Sequence, residues 1–242
     1  MQVDGQNENE STTGEAARTA LMTFHPELST SRHWAVLVSF VWASAISIMS
    51  QLTMTTCLPS ILTEFDVSTE HGQWLTTSYM LSLGIMVPCS GFFTARFQSR
   101  HIFLGANLVF LVGLLGAFAP NFQALVAVRF VQGLAAGLFI PLMQIVAFRL
   151  FPPERRGFAM GVVAIALAAG PTMGPLVAGI CTDLWGWRAV FLGVGLLTLS
   201  SIASYPVMRV LSDPTQRCPF DVPSLAMLAV SFIGLLFGVS NL

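Results

Sequence analysis

From residue 34 onward the chain is a series of apolar blocks, each about as long as a lipid bilayer is thick. A bilayer core is crossed by roughly 20 mostly apolar residues in a helix. On that ruler the spans are Trp34–Leu58, Trp74–Ala95, Ile102–Ala119, Phe122–Phe148, Phe158–Cys181 and Ala189–Met208. A seventh apolar run begins near Pro223 and continues to Leu242. Helix-stopping residues follow several spans: Pro59 the first, Pro120 and Asn121 the third, Pro152 and Pro153 the fourth. Composition agrees: 54% of the 242 residues are hydrophobic and 10% charged, against roughly 25% charged in a soluble domain. The expected fold is therefore an all-α membrane protein.

The basic residues set the orientation. There is no lysine. One set of loops and flanks carries Arg32, Arg96, Arg100, Arg149, Arg155, Arg156, Arg209 and Arg217, and the other side only Arg188. The positive-inside bias places the amino terminus and the 96–101, 149–157 and 209–222 loops in the cytoplasm. The 59–73 loop, with Glu64, Asp66, Glu70 and His71, is expected outside. Residues 1–31 are polar and acidic, without the basic start and apolar centre of a signal peptide. They read as a disordered cytoplasmic tail, with too little apolar surface to offset ordering entropy. The chain thus divides into the tail at 1–31, a six-helix bundle at 32–210, and a cytoplasmic loop with the start of a linker helix at 211–242.

Several function classes lack their residues. A net charge of −1 gives no nucleic-acid footprint. Cys57, Cys89, Cys181 and Cys218 make no metal-type pair, and His25, His33, His71 and His101 sit in loops or at span edges. No metal or cofactor is expected. Hydrolase elbows, phosphate-cradling loops and dinucleotide fingerprints are absent from the sequence, so it does not read as an enzyme.

The fifth span contains AGPTMGP, residues 169–175. Pro171 frees the carbonyl of Leu167, and Pro175 that of Pro171. In hydrocarbon such groups persist only inside protein or beside a watery cavity. Ala166, Gly170, Gly174 and Ala178 recur every four residues, a small stripe on which another helix packs closely. The expectation is a kinked, tightly packed interior helix, with packing alone or a mechanical role both open. The fourth span holds Arg129, the one charge deep in any span. Arg129, Gln132, Gly133 and Ala136 share a face, with Gly137, Ile140 and Gln144 close to it. A guanidinium stays charged when buried and is costly against lipid. It faces a pocket, or it snorkels to an interface. In the first span Ser44, Ser47, Gln51 and Thr55 form a polar stripe, with Ser50 and Met54 nearby. Tyr79, Ser82 and Met86 recur along the second. Methionine and aromatic side chains suit a pocket for varied ligands. Arg129, Gln132, Gln144, Gln51, Ser47, Thr55, Tyr79 and Met86 form the candidate cavity lining; ordinary helix packing is the alternative for each.

These stretches resemble the major facilitator superfamily, specifically its fourteen-span drug:proton antiporters. RFVQGLAAG, Arg129 to Gly137, resembles the fourth-helix motif, in which Gly133 and Gly137 are packing positions. AAGPTMGPLVAG, Ala168 to Gly179, resembles the antiporter motif, with Gly170, Pro171, Gly174, Pro175 and Gly179 at its marked positions. WGWRAVF, from Trp185, resembles the start of the sixth helix, and FDVPSLAML, from Phe220, the linker to two extra helices. The loop after the second helix matches at Gly91 and Arg96 and keeps a basic Arg100, but Ala95 stands in the family's aspartate position. Ser50 stands where relatives often carry an aspartate in the first helix. No Asp or Glu lies deep in the six spans.

The resemblance implies the amino-terminal half of a secondary active efflux transporter in a bacterial cell or inner membrane, made of two three-helix repeats. Its partners would be the lipid bilayer, a small-molecule substrate, a proton or other coupling ion, and a missing carboxy-terminal six-helix half. Two alternatives are a non-transporting remnant or accessory membrane protein, and an exporter of small anionic metabolites.

Overall fold

The computed structural model describes residues 30–208. The acidic tail, the 209–222 loop and the seventh apolar run lie outside the described residues. Six membrane-length helical segments appear. They are α1 (Thr30–Phe65), α2 (Trp74–Arg96), α3 (Ser99–Leu111, continued as a 3-10 helix over Val112–Phe118), α4 (Phe122–Leu150), α5 (Pro153–Trp185) and α6 (Trp187–Ala203). Single turns at Thr69–Gly72 and Tyr205–Met208 complete the described chain. The expected all-α fold with six spans is present.

Aromatic contacts show which helix ends meet. Trp34 at the start of α1 packs edge-on against Phe151 after α4, at 4.9 Å between centroids, and against Phe158 in α5. At the other end Phe65 meets Phe122 and Trp187. There Glu64 accepts from Trp187 Nε1 at 2.6 Å and pairs with Arg188, whose guanidinium also stacks on the Trp187 ring. One end thus carries Arg32, Arg149, Arg155 and Arg156, and the other the Glu64–Arg188 pair.

Prolines account for the boundary differences. Pro59 does not end α1, which continues to Phe65, so much of the expected 59–73 loop is helix. A proline removes its own N–H and displaces the carbonyl four residues back. Here that residue, Thr55, is exposed, and the following turn is tied by the Thr63 hydroxyl donating to the Pro59 carbonyl at 3.0 Å. Pro153 starts α5 at a first-turn position, where a missing N–H costs nothing. The helix therefore begins five residues before the apolar block does. Asn121 caps α4, its side chain accepting from the Ala124 N–H at 2.8 Å.

Two glycine seams organise the bundle. A Cβ on Gly133 would collide with the Tyr79 carbonyl and the Ser82 hydroxyl, and one on Gly137 would lie 2.7 Å from the Leu83 carbonyl. Glycine is therefore what lets α4 seat against α2. The second seam joins α5 to α1: a Cβ on Gly174 would lie 3.2 Å from the Met49 carbonyl, and one on Gly170 3.2 Å from Ile48. Ala159, Val163, Gly170, Gly174 and Ala178 are the buried face of α5. The rest of α5 is largely exposed, so the helix stands at the edge of the bundle rather than inside it. It runs unbroken through both prolines.

Candidate functional site

Arg129 is 1% exposed and lies between α1, α2 and α4. One nitrogen, Nη1, donates to Ser50 Oγ at 3.2 Å and to Gln132 Oε1 at 3.0 Å. The guanidinium carbon stands 4.2 Å from the centre of the Tyr79 ring, a cation–π geometry that stabilises by about 2 kcal/mol when desolvated. Tyr79 in turn donates to the Ser47 carbonyl at 3.0 Å and contacts the Ser47 hydroxyl at 3.2 Å. Helix spacing explains the assembly. Arg129 and Gln132 are one turn apart on α4, and so are Ser47 and Ser50 on α1.

The cluster is incompletely satisfied. Arg129 Nε and Nη2 are buried without a hydrogen-bond partner. A cavity of about 10 Å³ adjoins them, lined by Ser50, Thr53, Met54, Arg129, Val190, Phe191 and Val194. It is about the size that admits one water. Gln132 is held from the far side by Gly113 of the 3-10 segment, where any Cβ would strike its amide.

The structure brings together Ser47, Tyr79, Arg129 and Gln132 of the expected lining. Gln51 is half-buried, and the partner of Arg129 on α1 is its neighbour Ser50. Thr55 is exposed, its hydroxyl donating to the Leu52 carbonyl at 2.7 Å. Gln144 is exposed, and Met86 lines a separate crevice between α2 and α3. Neither Gly113 nor Ser50 was among the candidate site residues; Ser50 stood out only as the departure from the resembled first-helix pattern, with Gln51 chosen in its place. The expected loop motif falls on helix: Gly91, with open space around it, and the exposed Arg96 belong to the last turns of α2, and Arg100, its Nε buried without a partner, to the first turn of α3, because both helices run on past their apolar blocks and leave only Phe97 and Gln98 between them.

A wider groove runs between α1 and α5. It measures about 570 Å³ and includes Trp34, Trp42, Met49, Ala166, Gly170 and Met173 in its lining. Size and apolar character suit a drug-sized ligand. Gly170 of the glycine seam is part of its lining, which contains no Asp, Glu or Arg. Among the described residues no group of three His, Cys, Asp or Glu side chains comes together.

Residues 36–240 match the family model described as Major Facilitator Superfamily. The chain belongs to the major facilitator superfamily. Superfamily relatives include the lincomycin resistance protein LmrB of Bacillus subtilis, 32% identical over 85% of this chain and 43% of that protein. The probable multidrug resistance protein EmrY of Escherichia coli is 28% identical over 84% of this chain and 40% of its own length. Among solved structures, the peptide transporter POT in complex with sulfate superposes with a TM-score of 0.69 at 12% identity, over 93% of this chain and 48% of that one. The chain spans less than half the length of these relatives. It is a multi-pass membrane protein of that superfamily.

Within the superfamily frame Ser50 gains meaning. It occupies the position where the resembled pattern has an aspartate, and its hydroxyl is the α1 group that Arg129 contacts. The guanidinium therefore meets a neutral acceptor where a carboxylate would pair with it.

Proposed function

We propose that this chain is the amino-terminal half of a multidrug efflux transporter of the fourteen-span type. It exports small apolar compounds by alternating access with a second six-helix half. The observation that carries the reading is the apolar groove of about 570 Å³ between α1 and α5, which Gly170 of the glycine seam helps to line. A drug-sized greasy ligand fits there beside two methionines, Met49 and Met173, whose flexible side chains accommodate varied shapes. Drug-resistance names among the relatives support the same substrate class. The amino terminus and the arginine-rich end face the cytoplasm, in keeping with the positive-inside bias.

Arg129 has a different role in this reading. With Ser47, Tyr79 and Gln132 it pins α1, α2 and α4 together, its charge enclosed rather than presented to the groove. Its burial weighs against export of anionic metabolites attracted by that charge. Gln51, Thr55 and Gln144 complete the polar edge that the second half covers. The six spans contain no deep carboxylate, so the group that couples to a proton or another ion is contributed from outside them.

The test is drug export from a sensitive bacterial host, with this chain expressed alone and joined to its second half. Uncharged hydrophobic drugs and dyes are expected to leave only from cells making the joined protein. Ala169→Trp, which fills the groove, is expected to narrow the range exported. Unchanged export by that variant, at equal expression, would place the substrate elsewhere.

A further inference from the structure

α2 and α3 both lean on α4 and diverge from one another, leaving a crevice of about 380 Å³ between them. Met86 and Phe93 of α2, Ile102 and Val109 of α3, and Leu138 of α4 are among its walls. At one end stand Phe97 and His101. From His101 to Val109 is about 12 Å of helix, close to the half-thickness of a bilayer core. The crevice thus runs through one leaflet, from the basic end of the bundle towards the middle.

Basic residues flank its mouth: His101 is part of the lining, and Arg96, exposed at the end of α2, lies one turn beyond the lining residue Phe93. Arg100 precedes His101, and its Nε is buried with no hydrogen-bond partner. From residue 71 to residue 153, the stretch containing α2, α3 and α4, there is no Asp or Glu. Ala95 supplies no acid beside Arg96 either.

We infer that this crevice binds one anionic phospholipid, its acyl chain between α2 and α3 and its phosphate held by Arg96, Arg100 and His101. The inference is independent of the transport reading. A zwitterionic headgroup fits less well, because its ammonium finds no carboxylate at the mouth. Each arginine near an anionic headgroup contributes about fivefold in affinity.

The experiment places the purified chain in detergent with equal amounts of phosphatidylglycerol and phosphatidylcholine and counts retained lipids by native mass spectrometry. Phosphatidylglycerol is expected to be retained several-fold over phosphatidylcholine. Arg96→Gln with Arg100→Gln is expected to bring the ratio close to one without lowering the thermal midpoint. Gly105→Leu is expected to reduce retention of both lipids, because Gly105 lines the crevice with open space at its Cβ position. Equal retention by the parent chain would overturn the inference, as would an unchanged ratio in the arginine variant or unchanged retention in Gly105→Leu. Release of the lipid by inorganic phosphate alone would also overturn it, by showing a free-phosphate site.

Discussion

Replacing Ser50 with aspartate puts a carboxylate within reach of Arg129. Ser50 Oγ already lies 3.2 Å from Nη1, and Nε and Nη2 have no acceptor. At about 4 Å and an effective dielectric near 20 the attraction is about 4 kcal/mol. Against it stands the several kcal/mol needed to bury the new carboxylate. The guanidinium is already desolvated in the parent, so only one ion is newly buried. Its unused N–H groups then gain a charged acceptor, about 1.5–3 kcal/mol per bond. The balance is a net stabilisation of about 1–2 kcal/mol, or roughly 2–8 °C in thermal midpoint for a chain of this size. The assay is thermal unfolding of the detergent-purified chain. In an Arg129→Gln background the same Ser50→Asp change leaves a lone buried carboxylate and costs about 3–5 kcal/mol. The signs therefore oppose across the two backgrounds. If Ser50→Asp lowers the midpoint equally in both, Ser50 does not face the guanidinium and the cluster is wrongly drawn.

Other consequences are separable. Gly133→Ala forces a methyl into the Tyr79 carbonyl and is expected to cost about 1–3 kcal/mol, whereas Gly91→Ala, in open space, is expected to leave the midpoint unchanged. Tyr79→Phe removes the bonds to Ser47 while keeping the ring under Arg129, a loss of about 1 kcal/mol by the same unfolding assay. Glu64→Gln is expected to shift the midpoint little, because both partners are about two-fifths exposed and such pairs contribute below about 1 kcal/mol; a large salt-independent drop would contradict that. Spin labels on α1 and α4 are expected to hold one distance in the joined transporter with and without drug, while labels on α1 and α5 give two.

The spans were legible because each apolar block approximates a bilayer thickness, and the seam of Gly170, Gly174 and Ala178 because its spacing is helical. Proline was read too simply. Pro59 and Pro153 look alike on paper, yet one sits inside a helix with an exposed freed carbonyl and the other begins a helix. The rotation of α1 was not legible. Its polar stripe of Ser44, Ser47, Gln51 and Thr55 has Ser50 close beside it, so the pattern does not say which of these neighbours meets α4. Ser50 and Gln51 point about 100° apart, and only packing chooses between them. Gly113 was hidden for a related reason: its constraint comes from Gln132, distant in sequence, whose amide fills the space of a side chain.

α1 joins the two parts of the site because it meets them on different sides. Ser47 and Ser50 turn towards Tyr79 and Arg129, while Ala45, Ile48 and Met49 turn towards Gly170 and Gly174. The first contact is directional: hydrogen bonds and a stacked cation fix the relative rotation of α1, α2 and α4. The second is smooth, made of small groups and backbone, with no side-chain hydrogen bond described among these residues. Sliding α5 along this stretch breaks dispersion contacts, each about 0.1–0.2 kcal/mol per atom pair, and re-forms them one step further on; towards the other end of the two helices it also breaks the hydrogen bond between the Cys57 thiol and the Thr182 hydroxyl, 3.2 Å apart. Turning α1 against α4 instead takes Ser50 from a buried guanidinium, a charged bond of about 1.5–3 kcal/mol, and Ser47 from Tyr79. The stretch of this half-bundle with the least directional bonding is therefore Ala45–Met49 of α1 against Gly170 and Gly174 of α5, and the groove proposed for the substrate lies beside it.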